Sequence, residues 1–230
     1  REREERLLAE ILAGNVPSWL RTLRPVEVTR SRKGDSTTVR FAVAPDYLAV
    51  GSDLDWFLVP LTPRSAQIVA DATGTSLPTV PVVDAIWAQA DVRLGPDSLP
   101  PGPEMTTVPW FEEHDRLVDA RRIRSGAPLG SLVSGHKKDV VLTSRLSERP
   151  GHVAIYGWHR PNGVPIQPLY TGHTDDWADY SHGVRLVGRT VWVDGVARDV
   201  VELLEDPERS WLLEDDGPIR PARYPLADPG

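Results

Sequence analysis

Hydrophobic residues recur at helical spacing at several places in the first 125 residues. Near the start, charged residues alternate with Leu7, Leu8, Ile11 and Leu12, which predicts an amphipathic helix over residues 1–13. The run from Thr62 to Gly74 has a threonine cap, a proline in the first turn and a glycine at its end, which is typical of a well-bounded helix. The spacing predicts two further helices, over Pro81–Val92 and Pro109–Ile123.

Alternating hydrophobic and polar positions predict strands in two parts of the chain. Val26–Arg30 and Thr37–Val43 flank Lys33-Gly34-Asp35, which predicts a hairpin. From Asp139 onward the pattern predicts mainly strands, at Val140–Thr143, Val153–Gly157, Ile166–Tyr170, Val184–Val187 and Thr190–Val193, with a Gly188-Arg189 turn between the last two. We therefore predict an α+β fold with N-terminal helices and a short hairpin, followed by a mostly antiparallel β-sheet.

The length of 230 residues fits a single domain over 1–230. The segment Gly95–Pro103 contains four prolines and is the best candidate for an internal boundary. It would divide the domain into a helical and hairpin part, 1–95, and a part with a helix and an antiparallel sheet, 104–230.

Charge and composition exclude several classes of protein. The chain has 33 acidic against 26 basic residues, so it lacks the overall positive charge that favours nucleic acid. No apolar run approaches the roughly 20 residues that cross a bilayer, and no apolar signal segment is recognisable. A secreted, cell-envelope or cytoplasmic location therefore stays open, as does the oligomeric state. Cysteine is absent, so a metal would need histidine and carboxylate ligands.

Histidine is concentrated in one part of the sequence. Five of the six histidines lie in the 47 residues from His136 to His182. Histidine titrates nearest to neutral pH and is the commonest metal ligand, so this stretch is where we expect the chemistry. His159 precedes the turn Arg160-Pro161-Asn162-Gly163, which predicts an exposed position at the end of a hairpin.

Four segments resemble the NlpC-type, papain-like cell-wall peptidases, one of them Lys138-Asp-Val-Val-Leu-Thr143. The run Thr62-Pro-Arg-Ser-Ala-Gln-Ile-Val-Ala-Asp-Ala-Thr-Gly-Thr-Ser-Leu-Pro-Thr79 is similar to the helix that carries their nucleophile, and Pro150-Gly-His-Val-Ala-Ile-Tyr-Gly157 to the strand that begins with their catalytic histidine. The last segment, Val164–His173, follows in the same order. The resemblance implies a catalytic role for His152, with His173 as its orienting partner. The family's cysteine is replaced by Thr62, a weaker nucleophile that also serves as a helix cap.

The densest polar run, residues 172–183, is predicted to be a loop between strands, where catalytic groups are common. Adjacent residues of a strand point to opposite faces, so Ser181 would need a base other than His182, such as His159 or His152. The predicted catalytic residues are His182, Ser181, Tyr180, His159, His152 and His173. Substrate contacts are predicted for Lys138 and Arg185 as cations, Trp158 and Trp177 as stacking surfaces, and Asp179.

These residues predict a hydrolase that acts on a cell-wall peptide, at an amide bond, or on a glycan, without a cofactor. Two other classes of enzyme are alternatives that would use residues of the same histidine-rich stretch. A polysaccharide lyase would take His182 as base and Tyr180 as acid, and a zinc hydrolase would bind its metal through His173, Asp175 and His182. A non-catalytic module that binds carbohydrate or peptide is the remaining alternative.

Overall fold

The computed structural model describes residues 2–226 and has an α+β fold, which confirms the predicted class. The helices are α1 (Glu2–Leu12), α2 (Pro63–Ala72), α3 (Val80–Gln89), α4 (Val108–Ser125) and α5 (Val200–Glu205). The longer strands are β1 (Arg24–Arg32), β2 (Asp35–Val43), β9 (Ile155–His159), β10 (Pro165–Tyr170), β13 (Thr190–Val193) and β14 (Val196–Asp199). The short strands are β3 (Ala49–Gly51), β4 (Trp56–Leu58), β5 (Thr75–Ser76), β6 (Val92–Arg93), β7 (Val133–Ser134), β8 (Lys138–Val140), β11 (His182–Gly183) and β12 (Val187–Gly188).

One antiparallel sheet combines strands from the N-terminal part of the chain with strands from residues 187–199. Its strands follow the order β14-β13-β2-β12-β5, and β1 pairs along the whole of β2. The predicted hairpin is confirmed, because Arg32 pairs with Asp35 and leaves a two-residue turn at Lys33 and Gly34. Both turn residues have positive φ, 55° and 92°, which is the geometry of the tight turns that match strand twist.

The second sheet carries four of the predicted site residues, Lys138, Trp158, His159 and His182. Its strand order is β10-β9-β8-β11, with antiparallel pairs except for the parallel pair β8–β11. The parallel register sets Lys138 beside His182. Helix α2 packs its buried face, Ala66, Val69 and Ala70, into the same hydrophobic core as Val140 and Ile155 of this sheet.

One predicted hairpin is wrong. The segments around Val187 and Thr190–Val193 do not pair with each other; β12 pairs with β2 and β5, and β13 pairs with β2 and β14. The pattern predicted the strand Thr190–Val193 correctly, but of the predicted strand Val184–Val187 only Val187 lies in a strand. A local turn signal cannot reveal that β2 is long enough to accept both β12 and β13 along one edge. No helix within residues 2–226 is both long and apolar enough to span a membrane.

A buried ionic network connects α4 to the loops beside the second sheet. The carboxylate of Asp46 is fully buried, forms an ion pair with Arg122 and lies 3.1 Å from Nε2 of His136. Burial by itself would raise the pKa of Asp46, but Arg122 and His136 outweigh it and hold the pKa well below its usual range. Asp46 is therefore a buried anion held by its partners.

Asp46→Ala is expected to lower the free energy of unfolding by about 3–5 kcal/mol, because the buried charge of Arg122 loses its partner. Urea unfolding followed by circular dichroism measures this loss. Glu113→Ala, which removes an exposed ion pair with Arg116, is the control and is expected to leave the free energy of unfolding almost unchanged, because water screens this pair. Equal losses in the two variants would mean that the network contributes nothing special to stability.

Candidate functional site

The three predicted residues Tyr180, Ser181 and His182 lie in the interior, with 2 %, 0 % and 0 % of their surface exposed. The Ser181 hydroxyl donates to Oδ1 of Asp179 at 2.5 Å, and the Tyr180 hydroxyl accepts from the Leu99 N–H at 2.9 Å. Both hydroxyls are therefore engaged in holding loops together. The lyase alternative rests on Tyr180 and His182, and both are out of contact with solvent.

Six of the predicted residues do come together around β8 and β11. The Trp177 indole donates to Oδ2 of Asp179 at 3.2 Å, and the His173 ring stacks on Trp177 with centroids 5.0 Å apart. Nε2 of His182 lies 3.7 Å from the same Asp179 oxygen. Nζ of Lys138 lies 5.0 Å from the centre of the Trp158 ring, a cation–π contact.

Burial sets the protonation states of this cluster. It lowers the pKa of His182 to about 4 despite the nearby Asp179, so the imidazole is neutral at pH 7. Burial would raise the pKa of Asp179, but His182, Lys138 and the Ser181 hydrogen bonds outweigh it and bring the pKa to about 2. The cluster at neutral pH is thus an aspartate anion among neutral histidines and Lys138, enclosed by tryptophans, which suits a structural role.

Two other predicted residues are held apart from this cluster. Arg185 is fully buried and donates to the carbonyl oxygens of Ala44 at 2.9 Å and Val133 at 2.7 Å, so it connects the end of β2 to β7. The expected exposure of His159 is wrong: only 2 % of its surface is exposed, because it stacks on Trp87 and bonds Oδ1 of Asp84 at 3.0 Å.

The predicted metal ligands do not converge. Across residues 2–226, no group of three or more histidine and carboxylate side chains has an arrangement that could hold an ion. His182 is buried beneath the loop, whereas Asp175 is exposed and lines a cavity.

An open cleft lies at the N-terminal end of α2, and we call it the α2 cleft. It consists of two adjoining cavities of about 390 and 630 Å³ that share Arg64, Asp175 and Pro225. His152 lines the first cavity and Thr62 the second. The two positions that resemble the peptidase family therefore open onto one cleft.

Thr62 is fixed by its place in the helix. Its Oγ1 accepts a hydrogen bond from the Ser65 N–H at 3.4 Å, which confirms the predicted cap. Its own backbone N–H donates to Oε1 of Glu4 at 2.7 Å, so α1 covers this end of α2. The Thr62 hydroxyl donates to Oγ of Ser65 at a distance of 3.5 Å. This contact is weak, so the hydroxyl hydrogen remains available to another acceptor.

His152 is fixed by the turn that precedes β9. It forms a bridge with Thr174, and its Nδ1 lies 3.1 Å from the carbonyl oxygen of Pro150. A carbonyl oxygen can only accept, so Nδ1 carries the hydrogen and Nε2 carries a lone pair. His173 belongs to the neighbouring segment, where its carbonyl accepts from the Val153 N–H, but its ring stacks on Trp177. The His152 ring is therefore held by Pro150, and the His173 ring is held by Trp177.

Sequence reasoning missed the rest of the cleft. Its walls include Arg149 and the C-terminal segment 218–225, where the sequence has no periodic pattern. Buried polar side chains beside the sheet were missed as well. His114 of α4, for example, is fully buried, and its Nδ1 lies 3.1 Å from Nζ of Lys137.

Comparison of the chain with models of protein families, with curated proteins and with solved structures finds no match.

Proposed function

We propose that the chain is a hydrolase that cleaves an amide bond of a cell-wall peptide in the α2 cleft. One observation carries the proposal: Thr62 and His152, which are 90 positions apart in sequence, line the same cleft. They are the positions that resemble the nucleophile and the base of papain-like cell-wall peptidases, and the resemblance supplies the substrate class.

In the proposed first step, Oγ1 of Thr62 attacks the carbonyl carbon of the amide, and Nε2 of His152 takes the hydroxyl proton. The C–N bond then breaks, His152 returns the proton to the leaving amine, and an ester on Thr62 remains. Water attacks this ester with the same histidine as base, which releases a carboxylic acid and restores the hydroxyl. The tautomer fixed by Pro150 places the lone pair on Nε2, the atom this mechanism requires.

In the proposed reaction, the backbone N–H of Thr62 stabilises the oxyanion of the tetrahedral intermediate. In the structure a carboxylate oxygen of Glu4 accepts from this N–H at 2.7 Å. A negatively charged oxygen is therefore accommodated at the N-terminal end of α2, where the helix dipole favours it. A substrate has to displace Glu4 before its carbonyl oxygen reaches this donor.

Binding without cleavage is the second candidate function. The observation that favours it is the cap at Thr62, because an Oγ1 that accepts from Ser65 already has a structural role. In that case the cleft holds a peptide or glycan, and His152 acts only as a polar contact.

Purified peptidoglycan sacculi distinguish these functions. We expect the protein to release new amino groups, detected by amine labelling and mass spectrometry, without new reducing sugar ends. New reducing ends would favour a glycan hydrolase instead. Sedimentation of the protein with sacculi, without release of either group, would favour a binding module. Absence of both release and sedimentation would overturn both candidate functions.

A further inference from the structure

The first cavity of the α2 cleft has a charge opposite to that of the whole protein. The chain carries a net charge of −7, yet the 390 Å³ cavity is lined by four arginines and one aspartate. These residues are Arg64, Arg149, Arg220, Arg223 and Asp175. The basic character is therefore local to the cavity next to His152.

Two of the four arginines are already engaged. Arg223 forms an ion pair with Asp71 at 2.7 Å, and Nε of Arg220 donates to the carbonyl oxygen of Glu205 at 2.7 Å. The guanidinium groups of Arg64 and Arg149 make no hydrogen bond or ion pair with any residue from 2 to 226, whereas the backbone N–H of Arg149 donates to the carbonyl oxygen of Leu146 at 3.0 Å. Their guanidinium groups lie at the cavity wall with their donors available to a ligand.

The walls around these two arginines are rigid. Five prolines line the cavity, at positions 63, 150, 218, 221 and 225, and each fixes its own φ angle. The adjacent Tyr224 is buried, and its hydroxyl donates to the carbonyl oxygen of Val141 at 2.7 Å. Such a preformed concave surface loses little entropy when a ligand binds.

We propose that Arg64 and Arg149 form a binding subsite for an oxyanion group, a carboxylate or a phosphate, on the ligand of the α2 cleft. Arginine presents a planar set of donors that matches both groups. A volume of about 390 Å³ is within the range of small-molecule sites, so the anion is part of a larger ligand. The identification of that ligand as the hydrolysed substrate rests on the proposed function, whereas the anion subsite itself does not.

The subsite is tested with two simple anions, citrate for carboxylates and inorganic phosphate, titrated into the protein at low ionic strength and followed by NMR or calorimetry. We expect millimolar binding of at least one of them, weakened at least about 10-fold in Arg64→Gln/Arg149→Gln. The anion that binds more tightly identifies the group. The control is Arg124→Gln/Arg198→Gln, which removes the same charge from two exposed arginines outside the cavity.

Failure of both anions to bind, or equal weakening in both double variants, would overturn the subsite. The two proposals fail separately. If the anions bind but no amide is cleaved, the subsite is supported and the hydrolase proposal is rejected. If an amide is cleaved but neither anion binds, the hydrolase proposal is supported and the subsite is rejected. Thermal unfolding of both variants confirms that the folds are intact, as expected for exposed substitutions.

Discussion

Thr62→Val is expected to lower the rate of amine release from sacculi at least about 10³-fold, because the variant lacks the attacking oxygen. Valine keeps the branched shape of threonine, so the lining of the cleft is retained. The variant also loses the hydrogen bond from the Ser65 N–H, which is expected to cost about 1 kcal/mol of stability. That loss is small against the stability of a folded domain, so the activity is measured on a folded protein.

Two substitutions at the same position separate the chemical role of Thr62 from its structural role. Thr62→Ser keeps both the hydroxyl and the cap, and we expect its rate to stay within about 10-fold of wild type. Thr62→Cys supplies a better nucleophile and is expected to hydrolyse faster than wild type. If Thr62→Val releases amines at the wild-type rate, the residue is only a cap and the proposed nucleophile is wrong.

His152→Gln is expected to lower the rate of amine release about 10²–10⁴-fold, the usual contribution of a general base. The glutamine amide can still donate to the carbonyl oxygen of Pro150, so the turn before β9 is preserved. The measurement is the initial rate at several substrate concentrations, and we expect the loss to fall mainly on kcat.

His159→Gln is the matched control, since His159 is the last residue of β9 and lies at the other end of the strand. It loses a hydrogen bond to Asp84 and a stacking contact with Trp87. We expect lower stability with the rate kept within about 10-fold. If His159→Gln loses activity while His152→Gln keeps full activity, the active site lies outside the α2 cleft.

The elements that the sequence predicted well are those determined by neighbouring residues. The cap at Thr62 with Pro63 defined the start of α2, and the turn at Lys33 and Gly34 defined the hairpin. Local stereochemistry is sufficient for all of these features.

The sequence could not show that Ser181 and His182 are buried, and the reason is physical. Ser181 and His182 lie in a polar run, but the side chain of Asp179 turns back to bond Ser181, and β11 then enters the interior beside β8. Residue type cannot distinguish a polar loop in solvent from one that satisfies its own hydrogen bonds inside the protein. The burial of this run depends on the strand pairing of Lys138 with His182, two residues that are far apart in the sequence.

The remaining walls of the cleft depend on contacts between distant parts of the chain. Glu4 reaches Thr62 from α1, and the segment 218–225 crosses the cleft from the C-terminal side. Neither contact follows from hydrophobic periodicity, because both involve irregular or exposed positions. The basic cavity could not be predicted either, because the net negative charge of the chain does not indicate which arginines lie close together in the fold.

Labelling with a β-lactone probe tests, without a known substrate, whether His152 activates the hydroxyl of Thr62. We expect the lactone ring to open onto Oγ1 of Thr62, which leaves one ester adduct that peptide mass spectrometry locates at position 62. The adduct is expected to be absent from His152→Gln and from Thr62→Val. No adduct on the wild-type protein, or an adduct that persists in His152→Gln, would contradict the account.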